Sequence, residues 1–240
     1  TLPPCLHPFF LRDPSTAYAL LFEAVAKTVI EVCRSHLGGT PGLIALLHTW
    51  NQQLGYLPHI HCISTGGGLN GDGTKWIAPR PKFFLPVRKL SVVFRGKLLE
   101  ALEVALASGR LGTSQAAGRF LLHRAALQSF VVYSKPPMAG PEQVLRYLGR
   151  YTHRIAIGNE RIVAYDSGEV TFRYKDRRDG GRRKSRTLSA LEFLRLFLRH
   201  VVPRGFVRVR HFGLLANGIK AHRLALAREL LDAPAAPTPS

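Results

Sequence analysis

Two histidines separated by a single residue, His59 and His61, are the first place in this sequence where residue type and spacing could do chemistry. On a β-strand, residues two apart share a face, so both imidazoles would project together while Ile60 turns to the opposite layer. Side-by-side imidazoles suit a divalent metal. A neighbouring strand can supply a third ligand. If His48 falls opposite His59, three ligands converge; a slip of one residue turns His48 away, because register flips faces. Gln52 could then offer its carbonyl oxygen instead, and the spacing leaves the two as alternatives.

Tyr147 and Tyr151 form the second group. On a helix, a four-residue spacing places two side chains within about 40° of each other. Val144 and Leu148 would lie beside Tyr151 on an apolar side, with Gln143, Arg150 and Arg154 on the flank nearer Tyr147. Gly149, between the tyrosines, costs about 1 kcal/mol against Ala in a helix interior. Close approach of another backbone or of a DNA strand would explain it. A phenol is a poor nucleophile at neutral pH, and a metal beside it can polarise a scissile phosphate and stabilise the charge that develops. The tyrosine would then take a 5′-phosphate covalently and free a 3′-hydroxyl. The bond energy is kept, so the strand can be rejoined elsewhere. The positions assign the first bond to Tyr147 and a second transfer to Tyr151.

The third group is the run from Arg173 to Arg186, which holds eight basic residues and two aspartates. Following a hairpin, it would present a cationic finger to phosphates. The expected contacts to nucleic acid are Lys175, Arg177, Arg178, Arg182, Arg183, Lys184 and Arg186, with Arg150 and Arg154 from the tyrosine helix. Arg208 and Arg210 share one strand face and extend that surface. His153, His200 and His211 are read as structural or surface residues.

These groups need elements to position them. Asp13-Pro14 reads as an N-cap and first helical position, opening a helix to about His36 that ends at Gly38-Gly39. Leu43–Trp50 and His59–Thr65 read as adjacent antiparallel strands. Gly66 to Gly73 is a flexible turn, since it lacks the Lys-Ser/Thr ending of a phosphate-binding loop. A long helix follows Pro86 to about Ser108; a mixed stretch to Gln128 then precedes a predicted strand over Phe130–Ser134. Gly140-Pro141 opens the tyrosine helix. Arg161–Tyr165 and Val170–Lys175 flank Ser167-Gly168, a hairpin signal. Ser189 and Glu192 form a capping box ahead of a helix to Val202, Phe206–Phe212 alternates as a half-exposed strand, and a last helix ends near Leu231. The intermixed elements point to an α+β domain with a mainly antiparallel sheet. Residues 1–231 are expected to form it, with a disordered Ala/Pro tail over 232–240.

Composition narrows the partner. The 240 residues carry 34 Lys and Arg against 15 Asp and Glu, a formal charge of +19, with 46% hydrophobic residues. Such an excess repels itself and makes sense against a polyanion, of which nucleic acid is the commonest. A membrane surface is the rival, but no basic amphipathic helix stands alone and no run is long enough to span a bilayer. Thr1 to Leu11 has no basic start and contains three prolines, so it does not read as a signal peptide. The three cysteines, Cys5, Cys33 and Cys62, include no C-x-x-C pair, which argues against a disulfide framework or a complete zinc ribbon within the chain and fits a reducing cytoplasm. The first residue is not Met, which suggests a trimmed or partial chain.

With His59-Ile60-His61 and Tyr147-x-x-x-Tyr151 both in place, the chain resembles the HUH endonuclease superfamily, and within it the two-tyrosine rolling-circle transposases of the insertion sequence 91 type. The likeness runs through Leu47-His48-Thr49-Trp50, Pro58-His59-Ile60-His61-Cys62, Phe83-Phe84-Leu85-Pro86-Val87-Arg88 and Val131-Val132-Tyr133-Ser134-Lys135. It continues through Gly140-Pro141-Glu142-Gln143-Val144-Leu145, Tyr147-Leu148-Gly149-Arg150-Tyr151-Thr152-His153-Arg154 and His211-Phe212-Gly213-Leu214-Leu215-Ala216-Asn217. The resemblance implies an RRM/ferredoxin-like antiparallel core with the histidine pair on a central strand and the tyrosine helix beside it. It also implies Mg²⁺ or Mn²⁺, with single-stranded transposon ends and target as substrate. Two imidazoles suit Mn²⁺ better than the oxygen-preferring Mg²⁺. The amino-terminal cysteine-rich zinc module usual in that family is absent from this sequence. A plasmid rolling-circle initiator or relaxase would share the chemistry, and a non-catalytic nucleic-acid-binding relic would share only the charge.

Overall fold

In the computed structural model, Asp13 caps the first long helix as the sequence predicts, its side chain accepting from the Thr16 N–H at 3.2 Å with Pro14 at the first helical position. The structure describes all residues except 81–83, 136, 139, 153–155 and 234–240, and the side chains of 150–152 are likewise outside it. A short helix, α1 (His7–Arg12), leads into α2 (Pro14–Leu37), which ends at a left-handed Gly38 with φ +81°. Helix α3 (Val87–Ala107) packs along α2, and α4 (Gln115–Ala126) packs on α3. The last contact is close: a Cβ at Gly118 would lie 2.5 Å from the Leu106 methyls, so glycine there lets the two helices meet. Phe9, Phe10, Phe22, Leu98, Leu102 and Leu106 fill the space between these helices and the sheet.

That sheet holds β1 (Gly42–Trp50), β2 (Tyr56–Ser64) and β8 (Val209–Gly213) in the order β2-β1-β8, all antiparallel. Ala45, Leu47, Ile60 and Phe212 point to the helical layer. By alternation His48, His59 and His61 occupy the opposite face. A two-stranded ribbon, β3 (Gly68–Leu69) and β4 (Trp76–Ile77), begins inside the Gly66–Gly73 stretch expected as a flexible turn, where β3 is also bridged to Thr40. Helix α5 (Pro141–Thr152) carries the tyrosines.

A second sheet, β5 (Ile162–Asp166), β6 (Glu169–Asp176) and β7 (Arg182–Ser189), forms between α5 and β8. Ser167 and Gly168 both have positive φ, 49° and 79°, the backbone twist a two-residue hairpin turn requires. Helix α6 (Ala190–Leu198) covers this sheet, capped by the Ser189 hydroxyl accepting from Glu192 N–H at 3.3 Å. Phe172, Leu196, Leu54 and Ala156 make a small separate core, with Trp50 and Phe193 packed against it. The chain closes on α7 (Lys220–Glu229). No helix among the described residues is long and apolar enough to cross a membrane.

The α+β class with antiparallel sheets is as expected. Several details differ: among them, the strand expected over 206–212 runs Val209–Gly213 and the helix expected to Val202 ends at Leu198. Residues 130–134 form no strand: Phe130 is buried and its carbonyl accepts from the Ser91 hydroxyl at 2.5 Å, so the apolar alternation there reflects burial against α3, not strand pairing. The mixed stretch before Gln128 contains a regular helix, α4. Strand β2, which bears the histidine pair, is an edge of its sheet, and the central strand is β1.

Candidate metal and nucleophile site

The register of β1 and β2 shows which residue of β1 faces the histidine pair. His48 lies directly opposite His59, and Leu46 opposite His61, so His48 shares the face of the pair. The three imidazoles offer one nitrogen each within 4.8 Å of one another. His48 is buried at the floor; His59 and His61 are half-buried at the mouth. The Trp50 ring stacks on His48 at 4.7 Å between centroids, and the Arg208 guanidinium lies 5.4 Å over Trp50. Strand alternation places Trp50 beside His48 from the sequence alone, yet its supporting role was not part of the sequence reading.

Hydrogen bonds fix the tautomers. His59 Nδ1 lies 2.6 Å from the Leu57 carbonyl, which can only accept, so the ring proton is on Nδ1 and Nε2 carries a lone pair. His59 Nε2 and His61 Nε2 are 3.0 Å apart, so His61 donates from Nε2. His61 Nδ1 is left to accept from the Tyr147 hydroxyl at 2.5 Å. Tyr147 thus sits with its oxygen against a member of the triad.

Burial penalises the charged form of all three rings. It pushes the His48 pKa down to about 2, helped by His61, His59 and Arg208. Burial followed by His59 and Lys135 pushes His61 down to about 4, and burial also lowers His59. Neutral imidazoles are the ligating form. The donor set therefore fits a divalent cation that accepts nitrogen, Mn²⁺ more readily than Mg²⁺. Lys135 and Arg177 both lie close enough to add a positive field at His61, and Lys135 is a neighbour the sequence did not single out.

Comparison with known proteins shows the family. A family described as "putative transposase" matches residues 42–223, which include the histidine strands, the tyrosine helix and the second sheet. The chain belongs to this transposase family. It is 46% identical over 250 residues to "Putative transposase y4qJ" of Sinorhizobium fredii, covering the whole chain and 63% of that protein. It is 28% identical over 244 residues to "Transposase for insertion sequence element IS801" of Pseudomonas savastanoi pv. phaseolicola, covering 58% of it. The chain thus spans about three fifths of the curated relatives it matches. No solved structure matches it.

The other expected site residues fall in different places. Gln52 is held by the second sheet: its side-chain oxygen accepts from Lys175 N–H at 3.4 Å and its carbonyl from Arg161 at 2.5 Å. Arg154, and the side chains of Arg150 and Tyr151, lie outside the described residues. An added Cβ at Gly149 meets nothing within 4 Å, so no described backbone crowds that position. Arg210 stacks over Phe22 and Phe206 at 4.6 and 5.1 Å, packed toward the helical layer, and Arg208 lies on Trp50. Arg177 and Arg178 occupy the turn after β6. Lys184 pairs with Asp176 and Asp179 at 2.9 and 3.0 Å, Arg182 lies 3.8 Å from Asp179, and Arg186 donates to the Gln53 carbonyl at 3.0 Å. Lys175 and Arg183 are exposed on β6 and β7. His200 is structural: buried, bonded to the Thr49 hydroxyl at 3.2 Å and to the Leu54 carbonyl at 3.1 Å.

Proposed function

We propose that the chain is the catalytic unit of a rolling-circle transposase that nicks and rejoins single-stranded DNA at transposon ends through a 5′-phosphotyrosine on Tyr147. The observation that carries this reading is the Tyr147 hydroxyl 2.5 Å from His61, itself one of three clustered, neutral histidines. A tyrosine held against a ligand-quality imidazole has no need of that partner for packing alone.

His48, His59 and His61 would hold a divalent cation, Mn²⁺ or Mg²⁺, which supplies polarisation of the scissile phosphate and stabilisation of its developing charge. A neutral imidazole has one ring proton. With a cation held by the triad, the single ring proton of His61 would lie on Nδ1 and donate to the Tyr147 oxygen, favouring its anionic form and aiming a lone pair at the phosphate. The Tyr147 oxygen then bonds to phosphorus while the bond from phosphorus to the 3′ oxygen breaks. The phenol proton leaves to solvent and the departing 3′ oxygen takes one from solvent, so the exchange balances and no water is consumed. Lys135 and Arg177 hold the phosphate near the triad. Tyr151 serves the second transfer, in which the stored phosphodiester energy rejoins the strand.

The test is incubation of the chain with single-stranded oligonucleotides of the transposon ends and Mn²⁺, followed by denaturing electrophoresis and peptide mass spectrometry. The expected product is a covalent adduct on the peptide containing Tyr147. An adduct on Tyr151 alone reverses the order of the tyrosines, and cleavage with no adduct on either one removes the mechanism.

A further inference from the structure

The cations of the Arg173–Arg186 run are divided by strand register. Across β6 and β7, Tyr174 opposes Lys184, Asp176 opposes Arg182 and Phe172 opposes Arg186, so these residues share the side that includes the buried Phe172. Arg173 opposes Ser185, Lys175 opposes Arg183 and Thr171 opposes Thr187, and these share the outward side. Lys184 and Arg186 are engaged within the protein, by two aspartates and a backbone carbonyl, and Arg182 is exposed with Asp179 at 3.8 Å. Arg173, Lys175 and Arg183 are exposed, and among the described residues no carboxylate stands within 4.0 Å of them.

Lys175 and Arg183 face each other directly across the strands, an arrangement that destabilises an isolated sheet. A bound polyanion reverses its sign. Hydroxyls line the same side: Thr171 and Thr187 are hydrogen-bonded at 2.8 Å, with Ser185 beside Arg183. Charge also grades along the face. Asp166 and Glu169 pair at the β5–β6 turn, and the cations gather at the opposite end. At that end Lys175 N–H meets Gln52, on the loop joining the two histidine strands, and Arg177 adds its field at His59 and His61.

We propose that the outward face of the β5-β6-β7 sheet binds the phosphate backbone of single-stranded DNA through Arg173, Lys175 and Arg183 and leads it to Tyr147. The inference rests on the phosphotyrosine reading for its choice of a single strand: Tyr147 is half-buried against His61, and only a flexible strand can present a phosphate there. With no aromatic side chain on this face of β6 and β7 for bases to stack on, contacts fall on phosphates and hydroxyls, and binding is insensitive to sequence.

The experiment is fluorescence anisotropy of the full chain with a labelled thymidine homopolymer across a salt series, in EDTA so that no cleavage occurs. Each phosphate contact to a single strand contributes about 0.7 to the slope of log affinity against log salt. The triple variant Arg173→Ala, Lys175→Ala, Arg183→Ala should therefore lose about 2 from that slope and bind at least about tenfold more weakly near 0.1 M salt. The backbone N–H of residue 175 stays, so the contact to Gln52 is kept. The pair Arg182→Ala, Lys184→Ala should leave the slope nearly unchanged. If the triple variant unfolds by circular dichroism, Arg183→Gln alone should still lower the slope by about 0.7. An unchanged slope in these outward variants, or a loss confined to the inward pair, overturns the proposal; tighter binding of a duplex overturns the single-strand assignment. Binding is read without metal and must survive Tyr147→Phe. An adduct that forms with the slope unmoved sinks this inference alone, and a slope that moves with no adduct sinks only the phosphotyrosine reading.

Discussion

Replacing Tyr147 by Phe removes one oxygen and leaves the ring. The structure sets what that should cost in stability: the hydrogen bond to His61 at a half-buried position. A hydrogen bond of this kind contributes about 0.5–1.5 kcal/mol net, and in a chain of this length each kcal/mol moves the melting temperature by about 2–4 °C. Tyr147→Phe should thus melt no more than about 6 °C below the parent and remain almost wholly folded at 25 °C. Chemistry should respond without proportion, since no phenol oxygen remains to accept the phosphate: adduct formation falls to background. Tyr56→Phe is the matched control. It loses the 2.7 Å bond to Tyr18 at similar cost, on the helical face of the same strand, and should form adduct at the parental rate. Adduct yield by denaturing electrophoresis, measured beside thermal melts of both variants, checks the argument. A Tyr147→Phe chain that still forms adduct, on Tyr151 or elsewhere, refutes the assignment; equal loss in Tyr56→Phe shows that the effect was one of stability.

Saturating Mn²⁺ at about 100 times its dissociation constant should stabilise the fold by about 2.7 kcal/mol, a melting shift of about 5–10 °C. His59→Ala and His61→Ala should abolish that shift, His48→Ala should reduce it and Gln52→Ala should keep it. A shift lost in Gln52→Ala and kept in His48→Ala would replace the third ligand. Leu54 is fully buried at φ +63°, so Leu54→Ala keeps the strained backbone and opens a cavity; urea unfolding should show a loss of about 2–5 kcal/mol, and a loss below 1 kcal/mol would mean the second core does not hold the loop. Burial lowers the folded pKa of His200, so the unfolded chain takes up the proton first. Stability in EDTA should be intact above about pH 6.5 and fall as pH drops below it, with a smaller fall in His200→Gln; a flat profile between pH 7.5 and 5.5 would contradict the burial argument.

Much of this site is legible because strands and helices impose simple periods. Alternation placed His59 and His61 together, and the hairpin length allowed His48 opposite His59. Register, which separates His48 from Gln52, is set by pairing across the turn and by an irregularity between His48 and Trp50 that no local pattern announces. The basic run was legible as charge but not as two faces. Whether Lys184 points to phosphate or to Asp176 depends on where β7 begins, and the turn 177–181 sets that. Residues 130–134 misled because apolar alternation is the same for a buried extended segment and for a paired strand. The positive charge that Lys135 adds at His61 comes from tertiary proximity, which no local pattern announces.

Three consecutive carbonyls on the loop between β1 and β2, those of Gln52, Gln53 and Leu54, accept from Arg161, Arg186 and His200 respectively. All three donors belong to the segment that carries the second sheet and its helix, and all three acceptors are main chain. The seam therefore reads mainly the path of the loop, with one side-chain contact added to it, the Gln52 oxygen accepting from the Lys175 N–H. Substitutions at 53 are tolerated so long as the turn keeps its shape, whereas the donors on the other side cannot change one at a time without stranding a carbonyl. For anyone exchanging the second sheet between relatives, this fixes the boundaries of the cassette: it must run from before Arg161 to beyond His200 and travel as one piece, and the receiving hairpin needs the same bend, a glutamine at 52 and a leucine at its end.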